Sequence, residues 1–257
     1  MALRELWDDV VHPVDENLGG FARHGSRIWW CPTSVFNFLP LHAAGEYRAS
    51  GESLSQQYIS SYTPSLTALV RARRNHDRSP SVSFVAIGQN CPGSHSSTLE
   101  LVEPELELVR SLLPDPPTVS FTKMTSVDAT KSTTLSLLMR DQPLSLLDIT
   151  KMDLSRHQFA LLFACESAIG DSEMPDEAIH LAAGLQFAGV KSVVGTLWNV
   201  DDSTAQRLIE AFYINLCGDG KMMSQRAARA LHQAVHSLAR DRDIPLDQRI
   251  VFMHIGI

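Results

Sequence analysis

The sequence has few cysteines and no long apolar runs, and these two absences exclude several classes of protein. The four cysteines lie far apart without a CxxC pair, which argues against a zinc site and against a dense disulfide framework; they are Cys31, Cys91, Cys165 and Cys217. No apolar stretch is close to the length of about 20 residues that a membrane-spanning helix needs. The start of the chain is amphipathic and charged, unlike a signal peptide. We therefore expect a protein of the reducing cytoplasm that has no membrane partner.

Basic residues are also in the minority, with 22 Lys and Arg against 29 Asp and Glu and a net charge of −7. This balance argues against nucleic acid or an anionic membrane surface as the main partner. A glycine-rich phosphate loop is missing as well. We expect no metal, nucleotide or redox cofactor.

Apolar runs alternate with amphipathic stretches along most of the sequence. The patterns predict strands at 27–32, 58–62, 82–88, 119–121, 159–164, 191–198 and 251–255. They predict helices at 2–18, from 63–65 to 71–74, and at 99–113, 176–188, 203–216 and 224–239. Residues 36–45 fit a second strand or a loop entering a short helix. Such alternation predicts a mostly parallel sheet with helices on both faces, formed by one domain.

Cys165 follows the apolar run 159–164 and is the leading candidate for a catalytic residue. The run predicts a buried parallel strand that feeds a loop, and open α/β sheets place their chemistry on such loops. A cysteine there is a candidate nucleophile. Its thiol needs a base or a positive field to become a thiolate at neutral pH.

Six segments carry the most specific patterns in the chain: Ile28–Thr33, Phe38–Gly45, Ser61–Leu66, Phe163–Ala168, Pro175–Gly184 and Gly195–Asp202. Together they resemble the CHAT domain, a caspase-like cysteine peptidase family that includes relatives of separase. The resemblance covers nearly the whole chain. It implies a caspase-like three-layer α/β sandwich, with residues 1–257 as a single CHAT domain, either complete or a fragment of a longer protein. It also implies that Cys165 is the nucleophile of a peptidase acting on protein or peptide substrates.

The same resemblance implies a catalytic histidine one strand before Cys165, and the sequence lacks it. Residues 129–131 resemble the start of the preceding helix and 136–144 the hairpin that follows the histidine. The strand and the His-Gly pair are missing between Thr133 and Ser136. Their loss removes the general base and a glycine N–H expected in the oxyanion hole. We expect the sheet to lack one central strand, for which 135–139 is the only candidate replacement.

Other histidines are poor substitutes for the missing base. By the resemblance, His42 and His180 occupy structural positions. His157 precedes the cysteine strand, at its opposite end. His232 and His236 are expected at the surface, and their i, i+4 spacing would hold zinc only with further ligands.

Asp202 is the second candidate site residue. By the resemblance, it stands where separase-like relatives place an acidic residue that lines the pocket for the side chain before the scissile bond. A carboxylate there would select Arg or Lys through charge-assisted hydrogen bonds. The alternative is that Asp201 or Asp202 caps the helix that begins near Ser203.

Three interpretations of the whole sequence follow. The first is a cysteine peptidase whose base comes from an unidentified histidine. The second is a pseudopeptidase that binds protein partners as an interaction or signalling module. The third is an incomplete gene model or splice product of an ordinary CHAT protein, which we favour because both flanks of the missing segment keep their pattern. As written, the chain is expected to be an inactive homologue of the peptidases.

Overall fold

The structure, a computed structural model, describes residues 3–48, 53–74, 82–88, 102–116, 118–125, 149, 151, 153–155, 157–162, 177–198 and 200–257. The strands within these residues are β1 Arg27–Trp30, β2 Ile59–Tyr62, β3 Val82–Gly88, β4 Val119–Thr125, β5 Phe159–Leu162, β6 Ser192–Thr196 and β7 Phe252–Gly256. The helices are α1 Leu3–Leu6, α2 His12–Leu18, α3 Leu54–Gln57, α4 Leu66–Arg74, α5 Val102–Leu112, α6 Glu177–Ala188, α7 Asp202–Cys217, α8 Ala227–Leu238 and α9 Leu246–Arg249.

Five strands form the main sheet, in the order β1-β2-β7-β6-β5. The pairs β1–β2, β2–β7 and β5–β6 are parallel, and β6–β7 is antiparallel. The prediction of a mostly parallel sheet is therefore confirmed. Strand β7 is the central strand of this sheet, a position that the local sequence patterns did not predict.

Helices cover both faces of this sheet, as predicted. Trp29 of β1 is paired in register with Ser61 of β2 and contacts Arg73 of α4. The preceding residue, Ser60, lines a small cavity together with Leu231 of α8. Because consecutive strand residues point to opposite faces, α4 and α8 lie on opposite sides. Helix α6 contacts α4, and α7 packs on α8, which completes a three-layer sandwich.

The N-terminal helical prediction is confirmed, with a π-helical turn, Trp7–Val11, between α1 and α2. Leu6, Trp7 and Val11 are buried in the core at helical spacing. The region 36–45 is not a strand, and it forms two 3-10 turns, Ser34–Phe38 and Leu41–Ala43, which agrees with the alternative of a loop entering a short helix. Pro40 lies between them, and its missing N–H and fixed φ prevent a continuous strand or helix there.

Strands β3 and β4 form a separate, parallel two-stranded sheet. Helix α5 packs on β3 and also on α7, so this small sheet lies beside the main one. Among the described strands, β5 pairs only with β6. Residues 126–148, including the candidate replacement strand 135–139, lie outside the described residues. The missing central strand therefore stays a prediction.

Candidate active site

Strands β5 and β6 end together at one edge of the main sheet, because they run parallel with Leu162 opposite Gly195. We call this the carboxyl edge. The strand predicted to lead to the nucleophile is confirmed at Phe159–Leu162. Cys165 itself follows three positions later and lies outside the described residues. Its role as nucleophile stays a prediction.

The loop after β6 is held against the segment that leads into β7. The backbone N–H of Leu197 donates to the carbonyl of Val251 at 2.8 Å. The N–H of Asp201 donates to Oε1 of Gln248 in α9, also at 2.8 Å. Because β7 is antiparallel to β6, its first residue lies at the carboxyl edge as well. These bonds give the loop a defined position beside the end of β5.

Asp202 is the first residue of α7 and is partly exposed at this edge. Asp201 occupies the N-cap position with an extended backbone, but its side chain makes no capping hydrogen bond. The capping alternative is thus not what the structure shows for Asp201. Asp202 lies in the first turn of α7, where the helix dipole interacts favourably with a carboxylate.

His42 lies at the carboxyl edge, but both of its ring nitrogens are engaged. Nε2 contacts the carbonyl of Ile250 at 3.0 Å, and Nδ1 contacts the hydroxyl of Tyr62 at 2.8 Å. The carbonyl can only accept, so Nε2 carries the hydrogen and Nδ1 accepts from Tyr62. Burial lowers the pKa of His42 to about 4, against the opposing effect of the Ile250 carbonyl. This histidine is neutral at pH 7 and has no free nitrogen to accept a thiol proton.

A comparison of this sequence with known protein families identifies its family. The family model of the CHAT domain matches residues 1–142 and 124–252. The chain belongs to the CHAT domain family. Two crystal structures of the Saccharomyces cerevisiae separase–securin complex share its caspase-like fold, each at 14% sequence identity. Their TM-scores are 0.55 and 0.52, over 89% and 86% of this chain.

The CHAT domain described here spans 15% of the length of the separase-complex chains that it matches. At 14% sequence identity, this similarity is evidence for a shared fold only. A comparison with curated proteins gave no match.

Two further histidines of this CHAT domain lie away from the end of β5. His157 precedes β5, and its carbonyl accepts from the N–H of Lys191, which precedes β6, at 3.4 Å. It is therefore at the amino ends of both strands, as the sequence indicated. His24 precedes β1, which runs parallel to β2 and β7 and therefore begins at the carboxyl edge, but β1 and β5 lie at opposite ends of the strand order. Its side chain is exposed. The helical position of His180 in α6 is described, whereas its side chain is not.

His232 and His236 were expected at the surface, and that prediction is wrong. Both side chains are partly buried and line a cavity of about 50 Å³ between α8 and the sheet. Nε2 of His236 contacts the carbonyl of Ser55 at 3.0 Å. They lie on the stripe of α8 that also carries Leu231 and Val235, so their spacing places them at a helix–sheet contact.

A buried polar network on the α4 side of the sheet was not found from the sequence. His254 of β7 contacts Ser192 Oγ at 2.7 Å and Ser61 Oγ at 3.0 Å. Arg27 donates to Ser61 Oγ at 2.9 Å and to the carbonyl of Gly256 at 3.2 Å. The sequence feature that could have indicated this network is the presence of polar residues within otherwise apolar strands. The network joins β1, β2, β7 and β6.

Nothing in the described part of this CHAT domain forms a cluster of three or more His, Cys, Asp or Glu side chains suited to a metal ion. Within the same residues, every helix is too short or too polar to cross a bilayer.

Proposed function

We propose that this chain is a CHAT-domain homologue of the caspase-like cysteine peptidases that retains the nucleophile Cys165 without a general base. It would then bind protein segments at the carboxyl edge without hydrolysing them. The observation that supports this most directly is His42, the buried histidine at that edge, whose two ring nitrogens bond to Tyr62 and Ile250. His24, which precedes β1, lies at the opposite end of the strand order from β5. Without a histidine partner, a thiol near pH 7 remains mostly protonated.

The pH dependence of Cys165 alkylation tests this proposal. The iodoacetamide rate at Cys165 is expected to rise about tenfold per pH unit until an ordinary thiol pKa of about 8.5. Mass spectrometry of the peptide that contains Cys165 measures this rate, and the exposed thiol of Cys31 in the same sample reports on the reagent.

A rate that is already maximal below pH 7 would show a stabilised thiolate and contradict the missing base. The same conclusion would follow from hydrolysis of an Arg-containing peptide that is lost in Cys165→Ala. Equal hydrolysis rates in the wild type and in Cys165→Ala are the expected result.

We also propose that Asp202 selects a basic side chain in the bound segment. Asp202 is the first residue of α7, directly after the loop that follows β6, and its side chain is partly exposed. Asp202→Asn is expected to weaken binding of an Arg-containing peptide by at least about tenfold, because a charge-assisted hydrogen bond becomes a neutral one. Fluorescence anisotropy with labelled Arg and Ala versions of the peptide measures the preference.

Asp201→Asn is the matched control, since it removes the same charge one position away while keeping the backbone bond to Gln248. It is expected to change the affinity by less than about threefold. Equal losses of affinity in the two variants would mean that Asp202 acts only through the overall negative potential at the carboxyl edge.

The separate sheets favour the interpretation that the sequence lacks a segment. In the described residues no strand joins β5 to β3, although parallel α/β sheets are normally continuous. Sequencing of the transcript across the codons for residues 130–144 tests this. An added segment with a His-Gly pair would make the complete protein a peptidase, and a confirmed junction would leave the binding function.

A further inference from the structure

Helix α4 presents a partly apolar face to solvent. Leu66 and Val70, one turn apart, are 67% and 46% exposed. Together with Thr67, Arg71 and Arg74 they line a depression of about 390 Å³. The opposite side of the helix carries Leu69 and Ala72, which are buried against the sheet. The outer face is thus not needed to hold α4 in place.

The charges on this face are all positive. Arg71 and Arg74 border the depression, and α4 contains no Asp or Glu. Arg73 differs from them, because its guanidinium lies over the ring of Trp29, 4.4 Å from the centroid. The face therefore combines two exposed aliphatic side chains with two exposed cations, on a protein whose net charge is −7.

We propose that this surface, Leu66, Thr67, Val70, Arg71 and Arg74, binds an amphipathic helix of a partner protein whose first turn is acidic. An antiparallel helix would place its N-terminal carboxylates beside Arg71 and Arg74, at the C-terminal end of α4. Its apolar side chains, spaced by three or four residues, would then cover Leu66 and Val70. Apolar contact supplies the affinity, and the two arginines fix the direction of the helix.

A second copy of the same chain fits this surface poorly. A symmetric pair would bring the same patch of each copy together and so oppose four arginines without an acidic side chain from either α4. Like charges in such an interface cost free energy that the small apolar area cannot offset. The acidic partner helix removes this repulsion.

Selection from a displayed library tests the proposal without a known partner. Random peptides of about 20 residues, long enough to form a helix on binding, are sorted for binding to the folded chain. Enriched sequences are expected to carry two or more acidic residues followed by apolar residues at helical spacing. Their affinity is expected to fall at least about tenfold for Arg71→Glu with Arg74→Glu, and similarly for Leu66→Ser with Val70→Ser.

Ile214→Ser is the matched control, because Ile214 is 52% exposed but lies on α7. It is expected to change peptide affinity by less than about twofold. The proposal is overturned if no sequence is enriched, or if enriched peptides bind the arginine variants as well as the wild type. It is also overturned if the two arginines instead mediate self-association or binding to vesicles of anionic phospholipid.

Discussion

Gly256→Ala is expected to lower the free energy of unfolding by more than about 3 kcal/mol. Gly256 has a φ of +107°, which side chains with a Cβ rarely adopt, and an added Cβ would lie 2.2 Å from the carbonyl oxygen of Lys191. Relief by movement is blocked because the Gly256 carbonyl accepts from Arg27 and from Trp29 Nε1. Urea unfolding at pH 7, followed by circular dichroism, measures the change.

Gly25→Ala separates the two causes of this effect. Gly25 also has a positive φ, +79°, but no neighbouring atom within 4 Å of an added Cβ. It is therefore expected to cost only the backbone strain, about 1 to 2 kcal/mol. If both variants lost the same stability, overlap with Lys191 would not be the cause at Gly256.

Acid is expected to destabilise the folded chain well before its carboxylates titrate. His42 and His254 are buried and uncharged. Burial lowers the pKa of His42 to about 4, and burial followed by the Arg27 charge lowers that of His254 well below its ordinary value of 6.5. Below pH 6.5 the unfolded chain binds protons that the folded chain does not. Stability is therefore lost as the pH falls, by about 3 kcal/mol for the two groups together between pH 6.5 and 5.

Urea unfolding at a series of pH values measures this slope. His42→Gln is expected to remove about half of it, whatever the variant costs in absolute stability, because glutamine does not titrate. In the wild type, the ring C–H resonances of both histidines are expected to keep their positions down to pH 5 in NMR spectra. Titration of either ring near pH 6.5 would contradict the buried neutral state.

Several strands were predictable because they are short, largely apolar runs with clear boundaries. The runs at 82–88 and 191–198 indicated strands, and the structure has Val82–Gly88 and Ser192–Thr196. Their order was not predictable from the same patterns. Which strand pairs with which depends on contacts between distant segments, such as Tyr62 with Ile255, and hydrophobic periodicity carries no information about partners.

The elements that flank the predicted site were easier to predict than the contacts between them, and the role of Cys165 stays a prediction. The end of β5 and the start of α7 were identified from an apolar run and from the family motifs. The bond from Asp201 to Gln248 spans 47 residues and joins groups that no local pattern connects. His232 and His236 were misplaced because the polarity of histidine was given more weight than the apolar stripe of α8 on which both lie.

The central position of β7 has a consequence for synthesis on the ribosome. Of the described strands it is made last, yet it joins β1–β2 to β6–β5, and its His254 bonds to Ser61, 193 residues earlier. Until this strand has been translated, β2 and β6 each have an edge with unpaired backbone N–H and C=O groups. Unpaired strand edges can pair with another chain and so promote aggregation. A nascent chain of this topology is thus a natural client for chaperones, and stop codons before Phe252 should yield insoluble protein.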